Sequence, residues 1–207
     1  MKIYFIFSQD KFLNSYLVAN EKTNEAIFID PLKVNIETIK LIDKHKYRLK
    51  YVLFTHGDKN MQREGSLSIS KIYRGVEILR YQYLSQTDKA ENQVSDIKYR
   101  AIVGEGKIKL AGLDVEYFSL ASLGSGACCY KIQNVIFCGR ALVAGQIGET
   151  SSDYATQNLQ KNLQEKIFKR DNRLLLFPMV GGPTSVMVES IHNIDLQTSF
   201  KEKKRRF

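Results

Sequence analysis

The chain has 207 residues, with 31 Lys+Arg against 22 Asp+Glu and a formal net charge of +9, and its pI is near 9.4. A hydrophobic fraction of 43% beside 26% charged residues is ordinary globular usage, which excludes wholesale disorder, and at about 100–200 residues per domain the length suits one domain. The longest apolar runs, such as Tyr51–Phe54, fall far short of the ~18 residues of a membrane span. Ile3–Phe7 runs straight into Ser8-Gln9-Asp10-Lys11, too short for a signal-peptide core, so a cytoplasmic location is the expectation.

In chain order, Lys2–Phe7, Ser15–Ala19 and Glu25–Asp30 are short β-branched and aromatic runs split by polar turns, and they predict strands. Asn35 is placed to cap a helix that presents Ile36, Ile39 and Ile42 at helical spacing. Tyr51–Thr55 reads as a strand buried on both faces, Glu64–Tyr73 as a helix, and Val76–Leu79 as another strand. The polar stretch Ser85–Asp96 predicts an exposed loop or lid. Strands resume at Lys107–Leu110, Asp114–Ser119, Ala127–Ile132 and Val135–Cys138, the last two joined by a two-residue turn at Gln133-Asn134. Ser152 or Asp153 caps a helix running to about Phe168, with Ala155, Leu159, Leu163 and Ile167 on one face. Leu174–Phe177 is the last predicted strand, stopped by Pro178 and Gly181-Gly182-Pro183. The order, strands and helix followed by strands and helix, describes two α/β halves in a single domain over 1–198, followed by a basic tail at 199–207.

The positive charge is uneven. The tail carries Lys201, Lys203, Lys204, Arg205 and Arg206 against Glu202, and a second excess falls on Lys33, Lys40, Lys44, Lys46, Arg48 and Lys50. The tail cations are candidate nucleic-acid contacts through a salt-sensitive attraction to phosphates; the competing reading is a solvated tail and helix face. No known nucleic-acid-binding signature supports the first. Cys128, Cys129 and Cys138 have neither zinc-site spacing nor a nearby histidine and read as reduced core thiols. His45 and His192 lack acidic or thiol partners, Ser125 is not in a nucleophile elbow, and Gly181-Gly182 opens no phosphate loop. No cofactor is implied; a homodimer is only a generic expectation.

Several segments taken in order resemble the metallo-β-lactamase superfamily, and within it the glyoxalase II-like (hydroxyacylglutathione hydrolase-like) branch. Asn14-Ser15-Tyr16-Leu17-Val18 is similar to that family's N-C/S-Y-L-V strand, and Ala26-Ile27-Phe28-Ile29-Asp30-Pro31 to its V-L-I-D-P-G turn. Leu49–His56 resembles the strand entering its T-H-x-H-x-D-H motif, and Gly104–Phe118 its D-G-x-x-L-x-L-G-G-L-x-V-x-V stretch. Val135–Gly139 with Leu142–Gly145 resembles V-L-F-T-G followed by L-F-A-G, and Leu176-Phe177-Pro178 with Gly181–Thr184 the closing L-P-G-H-G-P-x-T. The resemblance implies an α/β (α+β) fold, a four-layer αββα sandwich, in which His and Asp from both halves hold two metal ions that activate a water.

Residue by residue, the implied metal site is dismantled. Only the first histidine of the motif, His56, survives; Asp58, Asn60 and Met61 stand at the second His, the Asp and the last His. Leu123 replaces the downstream His, Arg140 the bridging Asp, and Val180 the final His. Leu and Val cannot ligate, Met is a poor ligand for a hard dication, and Arg repels one. His56 and Asp58 alone are fewer than the three protein ligands of a catalytic zinc site.

The expectation is a pseudo-hydrolase with no metal and no catalytic residue, kept as a binding or interaction module for an anionic small molecule or a protein partner. The alternatives are a nucleic-acid-binding protein and an atypical thioester hydrolase. Arg140 is expected to pair with Asp58 and His56 in place of the ions; unpaired, it would make the cleft an anion site.

Overall fold

The computed structural model describes residues 1–82, 97–120, 123–124 and 126–197. The predicted loop or lid at Ser85–Asp96 and the tail cations therefore lie outside the described residues, apart from which the fold can be followed element by element.

The first sheet has six strands in the order β1 (Lys2–Ser8), β2 (Leu13–Asn20), β3 (Glu25–Ile29), β4 (Arg48–Leu53), β5 (Glu77–Gln82) and β6 (Tyr99–Val103). The β1–β2–β3 meander is antiparallel; from β3 onward pairing is parallel, through α1 (Ile36–Lys44) and α2 (Lys59–Ile72). Parallel neighbours need such crossovers, and both faces are then covered. β2 shows the result: Tyr16 and Val18 face the second sheet, while Leu17 and Ala19 face the helices with Ile42 of α1 and Ile69 of α2.

The second half supplies β7 (Gly106–Leu110), β8 (Leu113–Ser119), β9 (Cys128–Ile132), β10 (Val135–Gly139), the short hairpin β11 (Leu142–Val143) with β12 (Gln146–Ile147), β13 (Leu175–Pro178) and β14 (Thr184–Ser185). Its six-stranded sheet is ordered β14-β13-β10-β9-β8-β7. Inward residues Val115, Tyr130, Ile132 and Phe137 meet Tyr16, Ile27, Leu53 and Leu79 of the first sheet in the central core. On the outer face α3 (Asp153–Leu163) lays Leu159 and Leu163 over Ile136, Cys138 and Leu176, and its π-helical extension, Gln164–Phe168, adds Ile167. The arrangement is the αββα sandwich, built because each sheet alternates apolar residues to both faces and each helix has one apolar stripe.

Several boundaries differ from the sequence reading. α2 starts five residues earlier than the predicted Glu64, because Asp58 caps it, accepting from the main-chain N–H groups of Asn60 and Met61 at 3.0 Å each. Gly65 lies inside that helix; a Cβ there would sit 2.0 Å from the Pro31 carbonyl oxygen, so the helix lies against that turn only because the residue is glycine. Strand β6 and helix α4 (Val186–His192) had no sequence counterpart. β6 is an edge strand with Arg100 and Val103 exposed, and α4 is rich in β-branched residues with low helix propensity. Tertiary bonds hold α4: Ser185 Oγ accepts from Val188 N–H, and the buried Glu189 carboxylate accepts from Gly145 N–H and from Asn193 Nδ2. The Gln133-Asn134 turn forms as expected, with Gln133 taking the left-handed conformation at φ 52°. Among the described residues no helix is long and apolar enough to cross a membrane.

Candidate functional site

Loops from both halves converge where β3, β4 and β10 end. The anchor is Asp30, which leaves β3 in the left-handed region at φ 51°, a conformation Asp tolerates better than most residues. Its Oδ1 accepts the Thr55 N–H at 2.7 Å and its Oδ2 the Thr55 hydroxyl at 2.5 Å. Burial pushes its carboxyl above the usual range, opposed by the nearby His56 and by the Thr55 bonds. Thr55 in turn packs on Gly139 at the end of β10, where a Cβ would lie 2.5 Å from Thr55 Oγ1. His56 and Arg140 are the residues that follow Thr55 and Gly139 in the chain.

Other main-chain ties lock the β4–α2 loop. Tyr130 donates its hydroxyl to the Phe54 carbonyl at 3.1 Å, and Cys128 N–H bonds the Thr55 carbonyl at 3.0 Å. Gly57 and Gly126 meet so closely that a Cβ on Gly126 would be 2.9 Å from Gly57 Cα. The loop after β13 is held to the first sheet by Asn14, whose Nδ2 donates to the carbonyls of Pro178 at 3.0 Å and Gly181 at 2.6 Å, and by Tyr16, whose hydroxyl donates to Pro178 at 2.6 Å.

His56 is 6% exposed. Its Nδ1 accepts the Asp58 N–H at 3.2 Å, so the neutral ring carries its proton on Nε2. Burial pushes its pKa down, Asp30 and Asp58 oppose this, and Arg140 adds to it, which favours that neutral form. Nε2 lies 3.8 Å from Asp30 Oδ1, too far for a hydrogen bond, and has no partner among the described residues. Gln62, on α2, donates Nε2 to the His56 carbonyl while its buried Oε1 is likewise unpartnered among them. The region therefore contains one buried donor and one buried acceptor without partners among the described residues.

The structure brings most of the sequence-predicted site residues together but assigns them other work. Asp58 is exposed and is the N-cap of α2; Asn60 is exposed in the first turn. Met61 is buried with Leu13, Leu32 and Met179, with Val180 packed against them. Arg140 is exposed and donates Nη2 to Met61 Sδ at 3.6 Å. Two expectations need correction. Among the described residues no ion pair within 4.0 Å joins Arg140 to Asp58 or to any other carboxylate; the capping role occupies Asp58, and Arg140 acts on Asp30 and His56 only through space. Leu123 packs against the outer core of the second sheet, with residues such as Phe118 and Leu120. Sequence reasoning passed over Gln62 altogether; it read Asp30 as a structural turn residue, and the bonds to Thr55 give it that role.

The group that such a fold holds elsewhere, a pair of metal ions, does not fit these residues. Among the described residues no three His, Cys, Asp or Glu side chains are grouped to hold a metal ion. Asp58 is committed to a helix cap, His56 Nδ1 to a main-chain N–H, and the guanidinium of Arg140 would repel a cation.

The basic residues Lys33, Lys40, Lys44, Lys46, Arg48 and Lys50 are all exposed on or around α1, and Arg48 is paired with Glu25 at 3.4 Å. His45 stacks on Tyr47 with ring centroids 5.3 Å apart, and His192 is exposed at the end of α4.

No family model and no curated protein matches the sequence. Solved structures do match by shape. ETHE1 from Myxococcus xanthus superposes with a TM-score of 0.73 at 19% identity, over 94% of this chain and 84% of that one. A metallo-β-lactamase from Staphylococcus aureus subsp. aureus COL gives 0.78 at 15% identity, over 95% of this chain but 62% of its own length. TTHA1623, solved in a di-iron-bound form, gives 0.70 at 16%, over 92% and 98%. At such identities the likeness speaks to architecture, and with the two six-stranded sheets and their outer helices it shows that this chain adopts the metallo-β-lactamase fold.

Proposed function

We propose that the protein is a non-catalytic member of the glyoxalase II-like branch of the metallo-β-lactamase superfamily, a binding module whose dinuclear metal centre has been replaced by side chains with structural duties. One observation carries this reading: Asp58, the one carboxylate in the T-H-x-H-x-D-H stretch, caps α2 with its Oδ1, two residues from a histidine whose Nδ1 is already bonded. Met61 and Val180 make the neighbouring surface apolar, and Arg140 brings a permanent cation to it. A hydrolase of this kind needs ions that acidify a water, and nothing in this donor set would hold them. What is left is a fixed, partly polar meeting of loops from the two halves, a common location for ligand binding in such a domain.

Elemental analysis of the purified full chain, combined with a thioester-hydrolysis assay after incubation with zinc, iron(II) or manganese(II), tests the reading. The expected result is well under one metal ion per chain and no metal-dependent turnover. Stoichiometric metal with turnover would overturn it in favour of an atypical thioester hydrolase.

A further inference from the structure

We propose that β1 is the contact strand of a homodimer: two copies pair their β1 strands antiparallel about a two-fold axis at Phe5, joining their first sheets into one. The inference stands apart from the reading above, because a metal-bound chain would carry the same edge.

Strand β1 ends the first sheet and pairs on one side only, with β2. Among the described residues its outer N–H and C=O groups therefore have no strand to bond. Such an edge draws in a further strand unless charge, brevity or a bulge blocks it. The other three edges of the two six-stranded sheets are blocked in these ways. β7 carries the exposed Lys107 and Lys109, β6 carries the exposed Arg100, and β14 is 2 residues long. β1 has 7 residues in unbroken register with β2 and, past Lys2, no charge.

Its apolar side chains lie on both faces. Ile3 and Phe5 point toward the second sheet, Phe5 with its ring 5.7 Å from that of Tyr16, while Tyr4 and Ile6 pack on the helix side. Even so, Phe5 is 49% and Phe7 45% exposed. Phe12, in the turn between β1 and β2, is 71% exposed, with its ring 6.3 Å from that of Phe7. It holds φ at 52°, a left-handed conformation that is costly for a bulky residue.

The strand is complementary to itself. A two-fold axis at Phe5 sets Phe5 against Phe5 and Ile3 against Phe7 on one face, and Tyr4 against Ile6 on the other. Charge fixes the direction. Lys2 opens the strand and the exposed Asp10 follows it, and neither is in an ion pair among the described residues. Antiparallel pairing sets Lys2 opposite Ser8 of the second copy and within reach of its Asp10, whereas parallel pairing would set like charges together. At about 200 Å² for a fully exposed phenylalanine, the three rings present roughly 330 Å² of apolar surface per copy. With the strand's main chain and the half-buried Tyr4 and Ile6, two copies bury about 1,000 Å², the size at which a specific dimer begins.

Sedimentation velocity of the full chain between roughly 1 and 200 μM tests the proposal, a range that brackets the affinity of so small an interface. The expected result is a reversible shift from 23.8 kDa to twice that mass, with a dissociation constant on the order of 10 μM. Phe7→Lys is expected to weaken the dimer about tenfold or more, as charge does on an edge strand. Phe12→Gly is expected to weaken it about threefold while keeping the fold, since glycine suits that backbone; circular dichroism checks both variants. Phe5→Cys puts one accessible thiol per chain on the axis, the native thiols being buried. Mild oxidation is expected to link its two copies, and to leave Val103→Cys, on the β6 edge, unlinked. A monomer throughout the range, which leaves the edge to this chain's own residues or to another protein, overturns the proposal. So does a dimer that Phe7→Lys and Phe12→Gly both leave unchanged, or one that links through Val103→Cys instead.

Discussion

Asp30 shows how much a single side chain can do in this fold. It ends β3 in a left-handed conformation, ties the end of β4 through two bonds to Thr55, and faces the unpaired edge of His56. Replacing it by Asn keeps an acceptor for the Thr55 N–H but sets an amide N–H₂ against the Thr55 hydroxyl. Asp30→Asn is expected to cost about 1–3 kcal/mol, the usual consequence of one unmatched buried polar contact, read from urea unfolding. Arg140 illustrates the opposite case. It is exposed and makes a single weak contact, so Arg140→Gln is expected to change stability by no more than about 0.5 kcal/mol, read from the same urea unfolding.

Elements are fixed by caps and pairs that can be tested one at a time. Asp58→Ala removes the cap of α2 and is expected to cost about 1 kcal/mol, with Asp58→Ser recovering most of it, because a serine oxygen serves the same N–H groups. A metal-ligating aspartate would not be rescued by serine in this way. At the far side of the second sheet Arg170 donates to Glu116 at 2.7 Å and lies over the Phe118 ring. The bond from Arg170 holds the Glu116 carboxyl below its ordinary value of 4.5. The stabilisation from this pair is therefore present above pH 4.5 and is lost as the pH falls through the lower folded value. Below pH 4.5 the wild type should lose stability more steeply than Arg170→Met, in which Glu116 titrates nearer its ordinary value; chemical denaturation at a series of pH values checks this.

At the scale of the whole molecule, the central core between the sheets and the outer cores under the helices leave the thiols out of reach. Burial pushes Cys128 and Cys138 up to about 12, and pushes Cys129 well above its ordinary value. A thiol reagent at pH 8 should therefore leave the native protein unmodified and titrate all 3 cysteines once it is unfolded; rapid native labelling would show that the second sheet opens. The two-halved order of strands and helices could be read from the chain itself, since the alternation that builds β2 and the spacing that builds α3 are local patterns set by the periods of strand and helix. The same holds for the donors missing from the implied metal site, because Leu, Val and Arg are unable to bind a dication in any fold. The edge strand β6 and the helix α4 could not be read, since their own residues favour neither state strongly and only Glu189, Ser185 and the neighbouring strands decide it. Nor could the duties of Asp30, Asp58, Leu123 and Arg140. Asp30 finds Thr55 25 positions away and Arg140 finds Met61 79 positions away. A side chain's partner across such a gap depends on how the loops close in space, and only the tertiary structure decides that.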